Sequence, residues 1–351
     1  MPQANQTPNP GLLVIFGSGE CAPSSVSVYD WLIGRIEPPL RVSILETPAG
    51  FELNSAQVAG RIATFLSTHL TQHAPQTTVV PARRRGSAFS PDDAAIVAPL
   101  YESNIILLGP GSPTYAVRQL RDSLAWQALL ARHRLGAAIV LASAAAIAAG
   151  AQALPVYEIF KVGADLHWER GLDLLGAYGL KLAIVPHWNN ADGGADLDTS
   201  HCFMGAERFQ CLRGLLPPDV VVAGIDEQTA LVLDLAAETC QILGQGGVSL
   251  LQGAQERRYE HGQKLPLAEL GQAHRIDPDA GLPAEVWQQA IARRPPAPGG
   301  APSDPALWAI VRARERLRAR HDWDGADQLR EQLAGLGWQV EDTPLGPRLR
   351  R

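Results

Sequence analysis

Short apolar runs rich in β-branched residues alternate with amphipathic stretches from residue 11 to about residue 255. This alternation is typical of the α/β class, with a mostly parallel central sheet and helices on both faces. The run AIVL at 138–141 is apolar on both faces, which predicts a central strand. The last strands of the series, separated by short polar turns, are expected to form an antiparallel meander at a sheet edge. The predicted strands cover residues 11–16, 40–45, 77–80, 104–108, 138–141, 182–185, 220–223, 230–233 and 239–243.

The composition is that of a globular protein, because 46% of the 351 residues are hydrophobic and 19% are charged. The net charge of −6 argues against a surface built as a whole to hold nucleic acid or anionic membrane. No apolar stretch reaches the roughly 18 to 20 residues of a membrane span, and the amino terminus lacks a signal pattern. We therefore expect a cytoplasmic protein. Its dispersed histidines and unpaired cysteines predict neither a metal nor another cofactor.

A change in composition near residue 255 divides the chain. We expect an α/β domain at 1–262, a Pro/Gly-rich connector at 263–302, and a helical hairpin at 303–351. Two apolar stripes predict the two helices of the hairpin. They consist of Leu307, Ile310, Val311 and Leu317, and of Ala326, Leu329, Leu333 and Leu336.

A candidate nucleophile follows the predicted central strand directly. Ser143 precedes a small-residue helix, where backbone N–H groups can stabilise an oxyanion. The alternative is that this serine only caps the helix. His187 lies just beyond another strand, at the same edge of a parallel sheet, and could act as the general base. The acid that orients its ring is left open between Glu158 and Glu227.

Two glycine-containing turns allow a structural or a functional interpretation. The loop GPGSPT at 109–114 lacks both the dinucleotide fingerprint and the phosphate-binding lysine, so it forms either a tight turn or a ligand-facing wall. The segment GSGE at 17–20 has the same two interpretations, with the turn favoured.

With these segments in place, residues 11 to about 250 resemble the serine peptidase family that includes cyanophycinase and α-aspartyl dipeptidase. The resemblance rests on GSGE, GPGSPTYAVRQL, the serine turn, VPHWNN and GIDEQTAL. It implies a class I glutamine amidotransferase-like fold. It also implies a nucleophile at Ser143, a base at His187, and an oxyanion hole formed by the N–H groups of Gly111 and Ala144.

The resemblance further implies substrate-binding roles for Arg208, Asn189 and Glu20. The serine turn departs from the family pattern, since Leu141 and Ala145 stand where the family has glycines. Glycine at these positions lets the strand and the helix pack closely against the nucleophile. Leucine is therefore expected to change the direction in which the serine hydroxyl points. This departure is the basis of one alternative, a catalytically degenerate binding protein of the same fold.

The end of the chain is similar to the carboxyl terminus of cysteinyl-tRNA synthetase, on the segments DGADQLR at 324–330 and EDTPLGPR at 341–348. In the synthetase this end belongs to the tRNA-binding part. Arginines stand at every second position from 312 to 320, a spacing expected to spread charge around a helix. These side chains either contact RNA or pair with Glu315, Asp322 and Asp324.

The leading hypothesis is a serine-type hydrolase of a peptide or small amide bond, acting through an acyl-enzyme, with a tail that contacts tRNA or docks a partner. The expected partners are a small peptide or amide substrate and tRNA through residues 303–351, without a membrane; a homodimer is left open. The second alternative is a tRNA- or synthetase-associated adaptor whose function lies mainly in the tail.

Overall fold

A computed structural model describes residues 9–294, 305–343 and 346–350 of the protein. Its strands are β1 (Leu13–Phe16), β2 (Arg41–Leu45), β3 (Gln76–Val80), β4 (Ile105–Leu108), β5 (Ala138–Ala142), β6 (Gln152–Ala153), β7 (Glu169–Arg170), β8 (Leu182–Val185), β9 (Val221–Ile225), β10 (Thr229–Asp234), β11 (Thr239–Gly244), β12 (Gly247–Gln252), β13 (Gln255–Glu260), β14 (Lys264–Pro266), β15 (Gln339–Thr343) and β16 (Gly346–Arg350). Its helices are α1 (Val26–Ile33), α2 (Ser55–His69), α3 (Ala94–Glu102), α4 (Pro113–Leu120), α5 (Leu124–Arg134), α6 (Ala144–Ala149), α7 (Val156–Phe160), α8 (Ser200–Phe203), α9 (Gly205–Gly214), α10 (Ala284–Ala292), α11 (Pro305–Ala319) and α12 (Trp323–Gly335). Short 3-10 turns cover Pro23–Ser25, Thr47–Ala49, Thr71–His73, Gly176–Tyr178 and Leu267–Leu270.

The larger sheet has eight strands in the order β14-β11-β10-β1-β5-β4-β2-β3. The strands from β1 to β3 in this order pair in parallel. The other three, β10, β11 and β14, are antiparallel and close one edge. The expectation of a mostly parallel central sheet is confirmed, with β5 in its middle.

The expected antiparallel meander at a sheet edge is found for β10 and β11, but it does not include β9. That strand belongs to a second sheet of six strands, in the order β13-β12-β9-β8-β6-β7. Strand β9 pairs in parallel with β8 in this sheet, whereas β10 turns away and pairs antiparallel with β1. Gln228 sits in the intervening turn with φ of +55°. The chain therefore crosses between the sheets at this turn, beside the end of β1.

Strand β5 shows why the larger sheet is covered on both faces. Ile139 and Leu141 belong to the core that packs against α3 and α5, while Val140 belongs to the core packed against α1 and α2. Alternate side chains of a strand point to opposite faces. The two apolar faces predicted from the sequence thus each meet a layer of helices.

Part of the expected connector belongs to the body. Lys264–Pro266 pairs with β11 as an edge strand, and Val286 and Ala290 of α10 join the core beside α5. Most side chains of 263–283 are exposed, and a few apolar ones, Leu265, Leu267 and Leu270, are buried against the body. The Pro/Gly-rich stretch itself lies mostly at 295–302, outside the described residues.

The tail forms the expected helical hairpin from α11 and α12, and β15 and β16 add an antiparallel ribbon that was not predicted. Its core is separate from those of the body among the described residues, and consists of Leu307, Trp308, Val311, Leu333, Trp338 and Leu349. Leu336, predicted in the second apolar stripe, is instead exposed.

A histidine is completely buried beneath the start of the sheet. His133 Nε2 lies 2.9 Å from the carbonyl oxygen of Gly11 and donates to it, and its Nδ1 has no partner among the described residues. Burial lowers the pKa of His133 from 6.5 to about 4. The folded protein therefore keeps this ring neutral at pH values where the unfolded chain protonates it.

The free energy of unfolding should consequently fall as the pH drops from 6.5 towards 4. Between neutral pH and about pH 4, this one group costs about 3 kcal/mol of stability. The variant His133→Gln keeps an N–H donor but does not titrate. Urea denaturation at both pH values should show a smaller acid loss for the variant than for wild type, and equal losses would contradict this assignment.

Candidate active site

Ser143 occupies the sharp turn between β5 and α6. Its backbone has φ of +52° and ψ of −115°, a conformation that costs a non-glycine residue about 1 to 3 kcal/mol. Its side chain makes no capping hydrogen bond to α6. The hydroxyl lies instead 2.9 Å from His187 Nε2. Strain at this turn therefore directs the hydroxyl away from the helix and towards the imidazole.

His187 follows β8 and Glu227 follows β9, at the ends of neighbouring parallel strands. His187 Nδ1 lies 2.8 Å from Glu227 Oε1. With the carboxylate as acceptor, Nδ1 carries the proton and Nε2 is free to accept from the serine hydroxyl. The structure thus brings Ser143, His187 and Glu227 into one hydrogen-bonded chain.

Two asparagines hold Glu227 in this position. Asn190 Nδ2 donates to Glu227 Oε1 at 3.0 Å, and the Glu227 N–H donates to Asn189 Oδ1 at 2.8 Å. Asn189, expected to bind substrate, therefore contacts the backbone of the acid. Asn190 was not among the site residues predicted from the sequence, although it lies within the VPHWNN segment.

Glu158, the other candidate acid, bonds elsewhere. Its Oε1 accepts from Thr114 Oγ1 at 2.6 Å, whereas its Oε2 is buried without a partner among the described residues. It lines a separate cavity of about 770 Å³ together with Arg118 and Arg170. Of the two carboxylates left open by the sequence, Glu227 is the one bonded to the imidazole.

Gly111 and Ala144 lie beside the serine hydroxyl and line the same cavity. Among the described residues, neither N–H donates to a protein acceptor. Gly111 has φ of +149°, and a Cβ there would lie 1.9 Å from the carbonyl oxygen of Pro48. Only glycine fits this approach, so the loop can present backbone donors next to Ser143.

The end of β1 contacts all three segments of the hydrogen-bonded chain. The Ser143 N–H lies 3.4 Å from the Phe16 carbonyl, and the His187 N–H lies 3.2 Å from the Gly17 carbonyl. The Gly17 N–H in turn donates to the Thr229 carbonyl, two residues beyond Glu227. A Cβ on Gly17 would lie 2.1 Å from the Asp226 carbonyl oxygen. The GSGE segment is thus a close-packed junction.

Leu141 and Ala145, the departures from the family pattern, are both buried in the core of the body. Leu141 pairs with Ile15 of β1 and Leu108 of β4 in regular register. Its side chain packs on the α5 face of the sheet. Leucine at 141 was expected to displace the serine hydroxyl. The hydroxyl nevertheless lies within hydrogen-bond distance of His187 Nε2, so this displacement is not observed.

Arg208 and Glu20, both predicted to bind substrate, lie near the candidate site. Arg208 Nε and Nη2 donate to the carbonyls of Met204 and Phe203, at 2.7 and 3.0 Å. Burial raises the pKa of the Glu20 carboxyl, and the nearby His187 partly opposes that shift. Arg208 therefore supports the turn at the wall of the cavity, and Glu20 lies close to the imidazole.

That turn is α8, which is not a regular helix. His201, Cys202 and Phe203 have φ values of +55°, +59° and +66°, so three successive non-glycine residues adopt the left-handed region. Each costs about 1 to 2 kcal/mol. This turn was not predicted from the sequence, since no local sequence signal indicates three successive non-glycine residues at positive φ.

The cavity that opens at the serine hydroxyl has a volume of about 310 Å³. Burial, together with the nearby Glu227, raises the pKa of the Cys202 thiol at its wall to about 12. This thiol is therefore neutral and unreactive at physiological pH. The lining consists of Gly111, Pro113, Ser143, Ala144, Ile147, Val156, Tyr157, Phe160, Lys161, His187, Cys202 and Phe203.

The body of the protein is similar to a solved structure. A peptidase from an acI-B1 actinobacterium superimposes with a TM-score of 0.60 at 20% identity, covering 74% of this chain and 98% of that chain. The body therefore shares the fold of that structure. At this identity the likeness establishes the fold and not a substrate or mechanism.

The tail of the protein is similar in sequence to known proteins. Residues 304–347 match the family model of the cysteinyl-tRNA ligase anticodon binding domain. Cysteine–tRNA ligase 1 of Burkholderia lata is 54% identical over 41 residues, which are 12% of this chain and 9% of the ligase. The cysteine–tRNA ligase of Rubrobacter xylanophilus gives the same identity and coverage. The chain therefore spans about a tenth of these curated relatives, and the expected resemblance of the tail is confirmed.

Neither a metal cluster nor a membrane helix occurs in the part of the chain that the structure describes. It contains no group of three or more His, Cys, Asp or Glu side chains that could hold a metal ion. None of the helices described is both long and apolar enough to cross a membrane.

The hydrogen bond between His187 and Glu227 should be visible by proton NMR. Because the bond is short and charge-assisted, the Nδ1 proton of His187 should resonate far downfield of the backbone amides. The variant Glu227→Gln should lose this signal. The matched variant Glu158→Gln should retain it, and loss in both would contradict the assignment of Glu227.

Proposed function

We propose that the protein is a serine-type hydrolase that cleaves a peptide or small amide bond through an acyl-enzyme. The observation that carries this proposal is the hydrogen-bonded chain from Ser143 through His187 to Glu227. A hydroxyl, an imidazole and a carboxylate in this order form the arrangement that activates a serine nucleophile on several unrelated folds.

In the first half of the reaction, Ser143 Oγ attacks the carbonyl carbon while His187 Nε2 accepts the hydroxyl proton. Glu227 holds the ring in the required tautomer and stabilises the imidazolium. The N–H groups of Gly111 and Ala144 are suitably placed to donate to the oxyanion, and one such donor contributes about 10²- to 10³-fold in rate. His187 then gives its proton to the leaving amine, and the C–N bond breaks.

In the second half, water replaces the amine at the same site. His187 Nε2 accepts a proton from the water as its oxygen attacks the acyl ester. The tetrahedral intermediate collapses, the ester bond to Ser143 breaks, and the proton returns to Oγ. The acid product leaves and the free hydroxyl is regenerated, so every proton in the cycle is handled by these side chains.

A fluorophosphonate probe tests the nucleophile directly. We expect the probe to label wild type, and Ser143→Ala to remove the labelling. Glu227→Gln should slow it by about 10³- to 10⁴-fold, since the ring loses its orienting acid. The control Ser87→Ala removes an exposed surface hydroxyl and should label as wild type. Equal labelling of wild type and Ser143→Ala, or none of either, would refute the proposal; the second outcome would favour a degenerate binding protein.

We also propose that the tail contacts tRNA, as its match to an anticodon binding domain suggests. The arginines between 312 and 320 divide into two sets. Arg314 and Arg318 pair with Asp342 of β15 and with Glu315, so two carboxylates offset their two positive charges. The second set consists of Arg312 and Arg316 of α11 and of Arg320, which directly follows the helix. These three arginines recur every four residues, and none has an ion pair among the described residues.

These three arginines line a cleft of about 770 Å³ together with Asp30 and His73 of the body. Asp30 is engaged by His73 at 2.7 Å. Burial and the neighbouring charges of Arg316 and Arg35 lower the pKa of Arg312. Positive side chains crowded together in this way are expected to attract a phosphate backbone.

A filter-binding titration of tRNA at several salt concentrations tests this interaction. The triple variant R312Q/R316Q/R320Q should bind more weakly, and its dependence of log K on log salt should be shallower by about 2, since each phosphate neutralised by an arginine contributes about 0.7 to that slope. The charge-matched control R61Q/K264Q/R275Q removes three exposed cations of the body and should keep the wild-type slope. An identical slope in both variants would refute the tail as the RNA-binding surface.

A further inference from the structure

The cavity at Ser143 is walled by apolar side chains. Ile147 of α6 and Val156 of α7 are buried at one side, and the ring of Phe203 closes the other. The Phe203 ring centroid lies 5.8 Å from that of His187 and 5.4 Å from that of Phe160. A substrate group that fills this space therefore lies against the reacting hydroxyl and imidazole.

Cations contribute little to this wall. Among the described residues that line the cavity, Lys161 is the only one with a cationic side chain outside the hydrogen-bonded chain, and it is exposed. Its Nζ lies over the Phe160 ring, 4.8 Å from the centroid. Arg208, which the resemblance implied as a substrate-binding residue, donates to backbone carbonyls of the α8 turn. A carboxylate inside the cavity would lose its hydration without gaining a buried partner.

The left-handed α8 turn maintains the apolar wall. The Cys202 N–H donates to the His187 carbonyl at 3.1 Å, and Arg208 holds the Phe203 carbonyl from the opposite side. The turn therefore fixes the Phe203 ring beside the imidazole. Unusual backbone conformations of this kind persist where surrounding contacts enforce them, often at ligand sites.

From this geometry we propose that the cavity accepts an apolar side chain, aromatic or large aliphatic, on the acyl part of the substrate. The proposal rests on the proposed function, because it treats the group beside Ser143 as the acylating residue. The protein accordingly cleaves after an apolar residue.

Rates of hydrolysis of phenylalanyl-, leucyl- and aspartyl-p-nitroanilide by wild type provide the first test. We expect kcat/KM for the phenylalanyl substrate to exceed that for the aspartyl substrate by at least about tenfold. Phe203→Ala should reduce that ratio, and Phe160→Ala serves as a second variant if the first does not fold. Phe89→Ala, which removes an exposed ring outside the cavity, should leave the ratio unchanged.

A binding measurement separates this inference from the catalytic proposal. Calorimetric titration of Ser143→Ala with the same phenylalanyl and aspartyl compounds requires no turnover. Tighter binding of the phenylalanyl compound supports the apolar cavity even if fluorophosphonate labelling fails. Equal binding, or tighter binding of the aspartyl compound, overturns the inference while leaving the hydrolase proposal standing; if Lys161→Met removes an aspartyl preference, the cation at the rim determines specificity.

Discussion

The last residues of β1 hold the backbone of all three segments that carry the hydrogen-bonded chain. The Phe16 carbonyl accepts from the Ser143 N–H, and the Gly17 carbonyl accepts from the His187 N–H. The Gly17 N–H donates to the Thr229 carbonyl. These segments come from two different sheets. Because Gly17 has no Cβ, the carbonyl of Asp226 can approach it closely. The relative position of the three side chains thus depends on backbone contacts at one strand end, and not on the side chains alone.

Much of this architecture could be predicted from sequence, because the strands are strongly apolar and end in polar turns. The strand boundaries around Ser143 and His187 are nearly those expected, and the edge of the sheet that carries both residues follows from parallel pairing. The acid could not be chosen from sequence. Glu158 and Glu227 are both plausible along the chain, and it is the parallel pairing of β9 with β8 that brings Glu227 to the imidazole.

Other features depend on interactions that a sequence pattern does not contain. The left-handed α8 turn is enforced by the contacts of Cys202 and Arg208, and no sequence pattern predicts three successive non-glycine residues at positive φ. The division of the α11 arginines follows from Asp342, which reaches them only because β15 folds back onto the helix. Arginines at alternate positions therefore form one set that is paired with carboxylates and one that has no ion pair among the described residues. The sequence predicted instead that their positive charge would be spread evenly around the helix.

The apolar core of the tail shares no side chain with the cores of the body among the described residues. Each part is thus stabilised by its own apolar core, so a substitution that destabilises one part need not unfold the other. Genetic dissection can exploit this independence: alleles that unfold the tail and alleles that silence the serine should define separate phenotypes, whose combination would reveal whether the two parts serve a common task in the cell.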